Sequence, residues 1–357
     1  MESSISRVSR SKKIKIRGVY LMRRIYLFLI ISVISMVLIA CGENENSKGN
    51  ASSDTEEFKV GYMPNYASMN SVMGGLEAGS FEEQGLEIEL VEFEDGPNII
   101  SAMESGSIDA GYIGPGAHVL PVEGEAKIIT FSHLGNADEV IGNADSGVES
   151  IQDLEGKKVG MASGTSSETI LELALKDADM SKDDLELVDM DASAVVTAMT
   201  SGGVDAAATW SPNTNTIKEE LGDDAIKLAE NADYAEEFPS IASWVVAPSY
   251  AEENADKIEK FTKGLYEGMD YHIENTDEVV EKVAEQSAID VEAVEEQTGD
   301  GDWKKSDEIL ELLEEGTIQE YYEQQQENFI DSDELESEDE VDIEEYLMID
   351  NMEKALE

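Results

Sequence analysis

The sequence predicts an α/β protein built from two lobes, each a sheet with helices on both faces. Short apolar segments of strand length alternate with segments whose apolar residues recur at helical spacing, and this alternation is typical of a sheet covered by helices. The order of strands and helices occurs once in the first part of the chain and again in the middle. Without a predicted leader of 40 residues, the 357-residue chain keeps 317 residues, enough for two domains of ordinary size.

The first unit begins at Phe58, and turn residues separate its elements. Pro64 breaks the first strand, Gly79 follows the first helix as a stop, and two further glycines follow the third strand. The predicted strands are residues 58–62, 86–93, 108–113 and 126–132, and the predicted helices are residues 68–76 and a segment that starts at 97–103.

The second unit repeats this order further along the chain. Its predicted strands are residues 157–161, 185–188 and 204–209, and its predicted helices are residues 165–176 and 192–199. Residues 241–248 are expected to cross back to the first lobe. The predicted first lobe therefore comprises residues 58–138 and 245–357, and the second lobe comprises residues 139–244.

The C-terminal part of the chain is predicted to be mostly helical. Apolar residues recur at helical spacing over residues 255–272, 276–286, 309–313 and 318–322. The acidic run at 331–342 is expected to be solvated. The apolar residues at 346–349, followed by Met352 and Leu356, predict a final segment that docks on the first lobe.

Cys41 is the single cysteine of the chain, and it ends a sixteen-residue apolar run at residues 25–40. Arg23 and Arg24 before the run and Ala40 before the cysteine are typical of a secretion signal, and the run is short for a membrane span. The arrangement resembles the bacterial lipobox. This resemblance implies that residues 1–40 are a signal peptide, that Cys41 is lipidated, and that the protein faces outward from the cell membrane.

The segment after Cys41 is rich in Asn, Ser, Gly and Glu, so residues 41–57 are expected to form a disordered tether. Two lipid chains are enough for stable anchoring, because each buried CH₂ contributes about 0.8 kcal/mol. A buried structural cysteine and an ordinary membrane anchor are the alternatives. Met22 is a second possible translation start, since Arg23 and Arg24 follow it directly.

Acidic residues dominate the charge of the chain. Removal of residues 1–40 takes away eight of the 24 basic residues, including every arginine, and one of the 80 acidic residues, which leaves 16 against 79 and a formal charge of −63. Such a polyanion repels phosphate backbones, so nucleic acid is not an expected partner. Carboxylates spread over the whole chain indicate adaptation to concentrated salt, in which charge repulsion is screened within about 3 Å at 1 M.

The sequence provides little material for an enzyme or a metal centre. The chain has three histidines, and its one cysteine is assigned to the lipid. A Cys-His nucleophile pair and a zinc site with several Cys or His ligands are therefore disfavoured. The sequence contains no Gly-x-Ser-x-Gly elbow, His-Glu-x-x-His motif, Walker A loop or EF-hand loop. We expect no cofactor and no metal.

Several short motifs, taken in order, resemble one known family. They are Phe-Glu-Glu-Gln-Gly-Leu-Glu-Ile at 81–88, Gly-Ser-Ile-Asp-Ala-Gly at 106–111, Asp-Leu-Glu-Gly-Lys-Lys-Val-Gly at 153–160, Ser-Gly-Thr-Ser-Ser at 163–167, Gly-Val-Asp-Ala at 203–206 and Trp-Ser-Pro at 210–212. Their order and spacing resemble the nitrate-, sulfonate- and taurine-binding proteins of ABC importers, a group that also includes binders of thiamine pyrimidine precursors. The resemblance covers nearly all of the chain after the tether.

The resemblance implies a two-lobed periplasmic-binding-protein fold of type II. In this fold a ligand lies in the cleft between two α/β lobes that are joined by crossover strands, and hinge closure traps it there. A pyrimidine synthase that shares the fold uses a cysteine-rich motif, which this sequence lacks.

Candidate ligand-binding residues lie at the ends of predicted strands, because ligands of open α/β sheets bind beyond the carboxyl ends of the strands. They fall into three groups: Asn65, Tyr66 and Ser68; Gly114, Pro115 and Gly116; and Ser163, Gly164, Thr165, Ser166 and Ser167. The third group opens a helix, so its amide groups and the helix dipole are expected to hold an anion without a positive side chain. Simple N-capping by Thr165 and Ser166 is the alternative.

Trp210 and Asp191 complete the candidate site. The indole of Trp210 is expected at a strand end over the cleft, with lobe packing as the alternative. Asp191 or its neighbour Asp189 is a candidate partner for an ammonium group, with a solvated surface role as the alternative. His118 is expected to be structural.

The sequence therefore predicts a lipid-anchored, extracytoplasmic solute-binding protein of an ABC importer. The expected solute is a small anionic or zwitterionic organic molecule, with a sulfonate or taurine first. Its expected partners are an ABC permease and its ATPase, and the protein is expected to be a monomer. A thiamine pyrimidine precursor, held between Trp210 and Tyr66, or nitrate is the alternative solute. A surface sensor or adhesion lipoprotein is the alternative class.

Overall fold

The computed structural model describes residues 55–235, 238–332 and 334–357. The predicted signal peptide, Cys41 and nearly all of the predicted tether lie outside these residues. The described strands are β1 Glu56–Tyr62, β2 Leu86–Glu92, β3 Ala110–Ile113, β4 Lys127–Gly135, β5 Asp138–Asn143, β6 Lys158–Met161, β7 Glu186–Asp189, β8 Ala206–Trp210, β9 Ala225–Glu230, β10 Ile241–Val246 and β11 Gly301–Trp303.

Helices connect and cover these strands. The described α-helices are α1 Tyr66–Ala78, α2 Ser80–Glu83, α3 Gly96–Glu104, α4 Val119–Val122, α5 Ser166–Asp177, α6 Ala192–Thr200, α7 Asn213–Leu221, α8 Pro248–Glu253, α9 Ala255–Glu274, α10 Thr276–Ser287, α11 Val291–Glu295, α12 Ser306–Glu315, α13 Thr317–Asp331 and α14 Ile349–Leu356. Within the described ranges, no helix is long and apolar enough to cross a membrane.

The strands form two sheets. The first has the order β11-β4-β10-β3-β1-β2, and the second has the order β7-β6-β8-β5-β9. β1 pairs parallel with β2 and β3, whereas β10 lies antiparallel between β3 and β4. In the second sheet β6 pairs parallel with β7 and β8, and β5 is antiparallel to β8 and β9. The chain is therefore an α/β protein with two sheets, as its sequence predicts.

The predicted strands and helices of both units are present with small shifts at their ends, but three elements of the second unit were not predicted. β5, β9 and α7 all belong to the second sheet or cover it. β5 begins with Asp138 and Glu139 and ends with Asn143. Its apolar pattern, the buried Val140 and Ile141, is too short to predict a strand. Only the antiparallel pairing on both of its edges makes this segment a strand.

Two connections link the sheets. The chain leaves the first sheet after β4 and enters the second at β5, and it returns from β9 to β10. The predicted crossover at 241–248 is thus β10, which pairs within the first sheet through all six residues. The lobe boundaries at 138/139 and 244/245 stay predictions.

The C-terminal segment docks on the first sheet, as predicted. The amide of Ile128 donates to the carbonyl of Tyr346 over 2.7 Å, and the amide of Met348 donates to the carbonyl of Ile128 over 2.9 Å. Tyr346, Leu347 and Met352 are buried in the same core as β1 and β4. In the acidic run before this segment, residues 336–340 are exposed, which agrees with a solvated role.

Helices α1 and α9 pack backbone against backbone on the first sheet. A methyl group at Gly268 would lie 2.0 Å from the carbonyl oxygen of Ser71, and one at Gly74 would lie 2.3 Å from the carbonyl oxygen of Gly268. These distances are far below a van der Waals contact. The two helices therefore approach as closely as they do because glycine leaves the interface free of side chains.

This packing predicts that Gly268→Ala destabilises the protein. The added methyl group must push α9 away from α1, and overpacking of this kind costs about 1–3 kcal/mol in the free energy of unfolding. Urea unfolding followed by circular dichroism measures the change. The matched control is Gly299→Ala, since Gly299 is exposed and a methyl group there meets nothing within 4 Å. Equal stability of the two variants would contradict the prediction.

Candidate functional site

A cavity of about 60 Å³ lies between the two sheets and is lined by both lobes. Gly114 and Pro115 form part of its wall. Its polar and aromatic lining consists of Asn65, Tyr112, His133, Asp138, Thr165, Ser166, Trp210, Ser211, Ser240 and Asp300. Six of the predicted site residues are thus brought together: Asn65, Gly114, Pro115, Thr165, Ser166 and Trp210.

The turn after β1 places Asn65 in this cavity. Asn65 is the N-cap of α1, and its side-chain oxygen accepts from the amide of Ser68 over 2.9 Å. The hydroxyl of Ser68 accepts in turn from the amide of Met63 over 2.9 Å. Ser68 is fully buried and does not line the cavity. Its role in the structure is to fix the start of the helix.

Tyr66 also points away from the cavity. Its hydroxyl lies 3.4 Å from Nδ1 of His272, and its ring packs edge-on against Trp303 with centroids 5.7 Å apart. Tyr66 is therefore part of the packing between α1 and α9 in the first lobe. The predicted stacking clamp of Tyr66 and Trp210 is not formed, because only Trp210 lines the cavity.

The turn after β3 brings the two lobes into contact. A methyl group at Gly116 would lie 2.2 Å from the carbonyl carbon of Thr165 and 2.7 Å from the amide nitrogen of Ser166. Glycine is therefore required for this approach. His118 follows in the same turn, but it is buried, and its Nε2 lies 2.7 Å from the hydroxyl of Ser243. His118 thus holds the turn, as a structural histidine does.

The segment 163–167 forms the start of α5, and most of its polar groups are used within the protein. The amide of Ser163 donates to Asp189 over 3.0 Å, and the amide of Gly164 donates to Glu168 over 2.8 Å. The hydroxyl of Thr165 accepts from the amide of Ser167 over 3.3 Å, which is the N-capping alternative. Ser163, Gly164 and Ser167 do not line the cavity, so the predicted anion site has few free donors.

Asp138 is the buried charged group at the centre of the site. Its carboxylate accepts from the hydroxyl of Ser166 over 2.5 Å and from the side-chain amide of Asn231 over 2.9 Å, and its own amide donates to Asn231 over 2.6 Å. Loss of hydration raises the pKa of Asp138, whereas the bonds from Ser166, Asn231 and Ser240 lower it. The loss of hydration is the larger effect, so the pKa of Asp138 is raised, and donors contact both of its carboxyl oxygens.

Asp300 is a second carboxyl group that lines the cavity. It precedes β11, its carbonyl accepts from the amide of Asn136 over 2.7 Å, and it lines the cavity together with Ser211 of the other lobe. Loss of hydration raises the pKa of Asp300 from an ordinary 3.8 to about 6. At neutral pH this group is therefore ionised and faces the cavity.

Aromatic rings form another part of the wall. The rings of Tyr112 and His133 stack with centroids 6.0 Å apart, and the hydroxyl of Tyr112 lies 3.4 Å from Nε2 of His133. Burial lowers the pKa of His133 to about 3, so its imidazole is neutral. Trp210, at the end of β8, adds a third ring from the other lobe, and this ring is half-buried. A flat or apolar group fits against these rings.

The predicted partners for an ammonium group lie elsewhere. Asp191 is exposed at the start of α6 and does not line the cavity, and Asp189 accepts from the amide of Ser163. Gly116 is at the contact between the lobes and is also outside the lining. The carboxyl groups that face the cavity are Asp138 and Asp300 instead.

The sequence reasoning missed Asp138, Asp300, Tyr112 and His133. Asp138 directly follows the predicted fourth strand and its turn, so the strand-end rule applies to it as well as to Asn65. Asp300 lies in a Gly-Asp-Gly turn at 299–301, which is a local sign of a tight turn in a helical region. His133 and Tyr112 lie within strands. From the sequence alone, a strand residue that lines a cavity cannot be distinguished from one that packs in the core.

Two helix-covered sheets, two connections between them and a cavity at their interface define the class of two-lobed periplasmic-type binding proteins. The periplasmic aliphatic sulphonate binding protein SsuA from Escherichia coli has the same fold, with a TM-score of 0.64 at 18% identity over 83% of this chain and 99% of that chain. The desulfurization enzyme DSZB also shares it, with a TM-score of 0.58 at 15% identity over 84% of this chain and 99% of that one.

The family model described as NMT1/THI5 like matches residues 71–279. The chain belongs to this NMT1/THI5-like family. A binding protein of Brucella abortus (strain 2308) is 33% identical over 268 residues, which are 75% of this chain and 83% of that protein. An aliphatic sulfonates-binding protein of Bacillus subtilis (strain 168) is 23% identical over 280 residues, which are 75% of this chain and 80% of that protein.

The raised pKa of Asp300 predicts a pH-dependent loss of stability in the solute-free protein. The folded state holds the proton up to about pH 6, while the unfolded state releases it near the ordinary 3.8. The free energy of unfolding therefore falls as the pH rises from about 4 to about 6, by about 1–3 kcal/mol for a partly exposed group. In Asp300→Asn this contribution to the fall is absent.

Urea unfolding of the wild type and Asp300→Asn at several pH values measures the difference. Asp302→Asn is the control, since Asp302 is exposed two residues further along the chain. Its stability should follow the wild type at every pH. A constant difference between the wild type and Asp300→Asn from pH 4 to pH 7 would contradict the assignment.

Proposed function

We propose that this protein is the extracytoplasmic solute receptor of an ABC importer, and that its solute carries a cationic or N–H-donating nitrogen group. The observation that carries the proposal is the pair Asp138 and Asp300, which face one cavity together with aromatic rings. Among the described residues that line the cavity, none is a lysine or an arginine. The protein binds its solute and does not transform it.

The charge of the cavity disfavours a simple anion. A sulfonate or nitrate would enter beside two carboxylates, and two like charges 4 Å apart repel by about 4 kcal/mol at an effective dielectric constant of 20. The amides of Ser163 and Gly164 do not compensate, because each already donates to a carboxylate. A protonated amine or an aminated ring reverses the sign of the interaction with Asp138 and Asp300.

An aminopyrimidine of the thiamine-precursor type fits this environment first. Its amino group donates to a carboxylate, and its flat ring packs against Trp210, Tyr112 or His133. The sequence alone favoured a sulfonate or taurine, and relatives named for these solutes favour them too. The two carboxyl groups that line the cavity are the reason for placing the pyrimidine first.

Taurine is the second candidate. Its ammonium group suits Asp138 or Asp300, and the side chains of Asn65 and Ser166 are the polar groups available to its sulfonate. A periplasmic protein of Escherichia coli (strain K12) that is 23% identical over 201 residues is named as taurine-binding, which favours this solute. Alkanesulfonates without an amine lack the group that the carboxylates require.

The contact between the lobes supports capture of the solute by hinge closure. Gly116 meets Thr165 backbone to backbone, so entry to the cavity requires these turns to separate. The connections from β4 to β5 and from β9 to β10 are the hinges of the proposed movement. Delivery of the solute to a permease and its ATPase then completes the cycle of a receptor that acts as a monomer.

Lipidation of Cys41 would keep this receptor close to its permease. The tether at 41–57 then gives the two lobes freedom to reach it. The excess of carboxylates suits a protein that works outside the cell in concentrated salt. A Cys41→Ala variant should bind solute normally and be released from membranes.

Isothermal titration calorimetry distinguishes the candidate solutes. The panel consists of the hydroxymethylpyrimidine precursor of thiamine, taurine, ethanesulfonate and nitrate, at high salt and neutral pH. We expect the pyrimidine to bind most tightly, taurine to bind more weakly, and ethanesulfonate and nitrate to give no heat. Asp138→Asn should weaken binding at least tenfold, since a hydrogen bond to a charged group contributes about 1.5–3 kcal/mol.

The control variant is Asp302→Asn, which changes the same net charge on an exposed strand and should leave the affinity unchanged. Tight binding of ethanesulfonate with undiminished affinity in Asp138→Asn would refute the proposed nitrogen-bearing solute. Heat from none of the four compounds would refute both candidates.

A further inference from the structure

A second place where the lobes meet lies away from the cavity, between α5 and the end of α13. Phe329, on α13, and Leu335 belong to the core of the first sheet, whereas Leu171 and Leu175 on α5 belong to the core of the second. A groove at this junction includes Glu172, Lys182 and Glu334. The structure therefore brings charged side chains from the two lobes together outside the solute site.

Glu334 is fixed by the first lobe and reaches the second. Its amide donates to the carbonyl of Phe329 over 2.9 Å, and its side chain accepts from the hydroxyl of Ser332 over 3.0 Å. Across the junction Glu334 and Glu172 line the same groove, and both carboxyl oxygens of Glu172 are buried. Two carboxyl groups can bond to each other only if one of them carries a proton.

Apart from a protonated Glu334, no neutral group is placed to donate a hydrogen bond to Glu172 among the described residues. Its side chain is 11% exposed, and it forms an ion pair with Lys182. Neither of its carboxyl oxygens has a hydrogen-bond donor besides that ammonium group within the described ranges. Lys182 is shared with Glu168, whose oxygen lies 2.8 Å from Nζ. The ammonium group of Lys182 is thus shared by Glu168 and Glu172, apart from any interaction with Glu334.

The other charged groups at the junction do not neutralise Glu334. Lys176 on α5 lies 3.9 Å from Asp331 on α13, and both of these side chains are largely exposed. Asp183 beside Lys182 adds a further negative charge to the groove. Closed lobes with Glu168, Glu172 and Glu334 all ionised would place three carboxylates around Lys182.

We propose that Glu172 and Glu334 form a proton-operated latch, which holds the two lobes together when one proton is shared between their carboxyl groups and releases them when both are ionised. In the open protein the two groups separate into water and both ionise at neutral pH. Closure therefore takes up one proton and release gives it back. No oxidant, metal or other reactant takes part in this step.

The titration of Glu334 has the direction that the latch requires. Loss of hydration and the neighbouring Glu172 raise the pKa of Glu334 from an ordinary 4.5 to about 8. The closed form is consequently favoured at low pH and loses this advantage as the pH rises through the interval between these two values. The closing equilibrium changes by up to tenfold for each pH unit within that interval.

Cross-linking between the lobes tests the latch without any solute. The full-length protein carries Cys41→Ala together with Lys176→Cys and Asp331→Cys, which lie on opposite lobes at the junction. The rate of reaction with a short bismaleimide then reports how often the lobes close. Glu334→Gln is then introduced into this parent protein, because the amide of the glutamine can donate to Glu172 at any pH. The cross-linking rate of the variant is divided by that of the parent, and this ratio removes the pH dependence of the thiols.

We expect this ratio to rise at least tenfold between pH 6 and pH 8, because only the parent must lose its shared proton. Glu172→Gln should give the same trend, and the exposed Glu336→Gln should give a ratio that does not depend on pH. A flat ratio for both Glu334→Gln and Glu172→Gln would overturn the proposal. The latch rests on the lobe movement of the proposed function, but its test uses no solute, so the outcome does not depend on which solute the cavity binds.

Discussion

The buried carboxylate of Asp138 is the interaction on which the geometry of the site depends. It lies at the start of β5, where the chain enters the second sheet, and it binds Ser166 at the start of α5 and Asn231 after β9. Both connections between the lobes and the helix that faces the cleft are thus joined by one side chain. A buried ionised group is stable only when its oxygens are fully bonded, so each of these elements must be in place together.

This requirement also determines what the cleft can bind. Asp138 uses its hydrogen bonds to hold the second lobe, yet it remains at the cavity wall beside Asp300 and Trp210. The cavity therefore has a negative potential that no lining lysine or arginine balances among the described residues. A positive or N–H-donating solute supplies the missing charge, and it would strengthen the network that keeps the lobes together. The same principle, a carboxylate that needs a proton or a cation, recurs at Glu334 and Glu172.

The fold was predictable because its rules are local. Alternating apolar residues gave the strands of both units, and the glycine at position 79 marked the end of α1, where its φ of 77° is one that other residues avoid. The strand-end rule correctly brought Asn65, Gly114 and Trp210 to one cavity. Tyr66 and Ser68 belong to the same turn but point into the first lobe, since the start of α1 uses them for capping and packing. The strand-end rule applies to Asp138 too, but its central role was not predictable, because its partners Ser166 and Asn231 lie 28 and 93 residues further along the chain.

The most direct test of this account is a crystal structure of the protein grown with equal concentrations of taurine and the hydroxymethylpyrimidine precursor of thiamine. We expect the pyrimidine in the cavity, with a nitrogen atom within hydrogen-bonding distance of the carboxylate of Asp138 or Asp300 and its ring against an aromatic side chain. A sulfonate group bound at the start of α5, with no nitrogen of the solute near either carboxylate, would contradict the account.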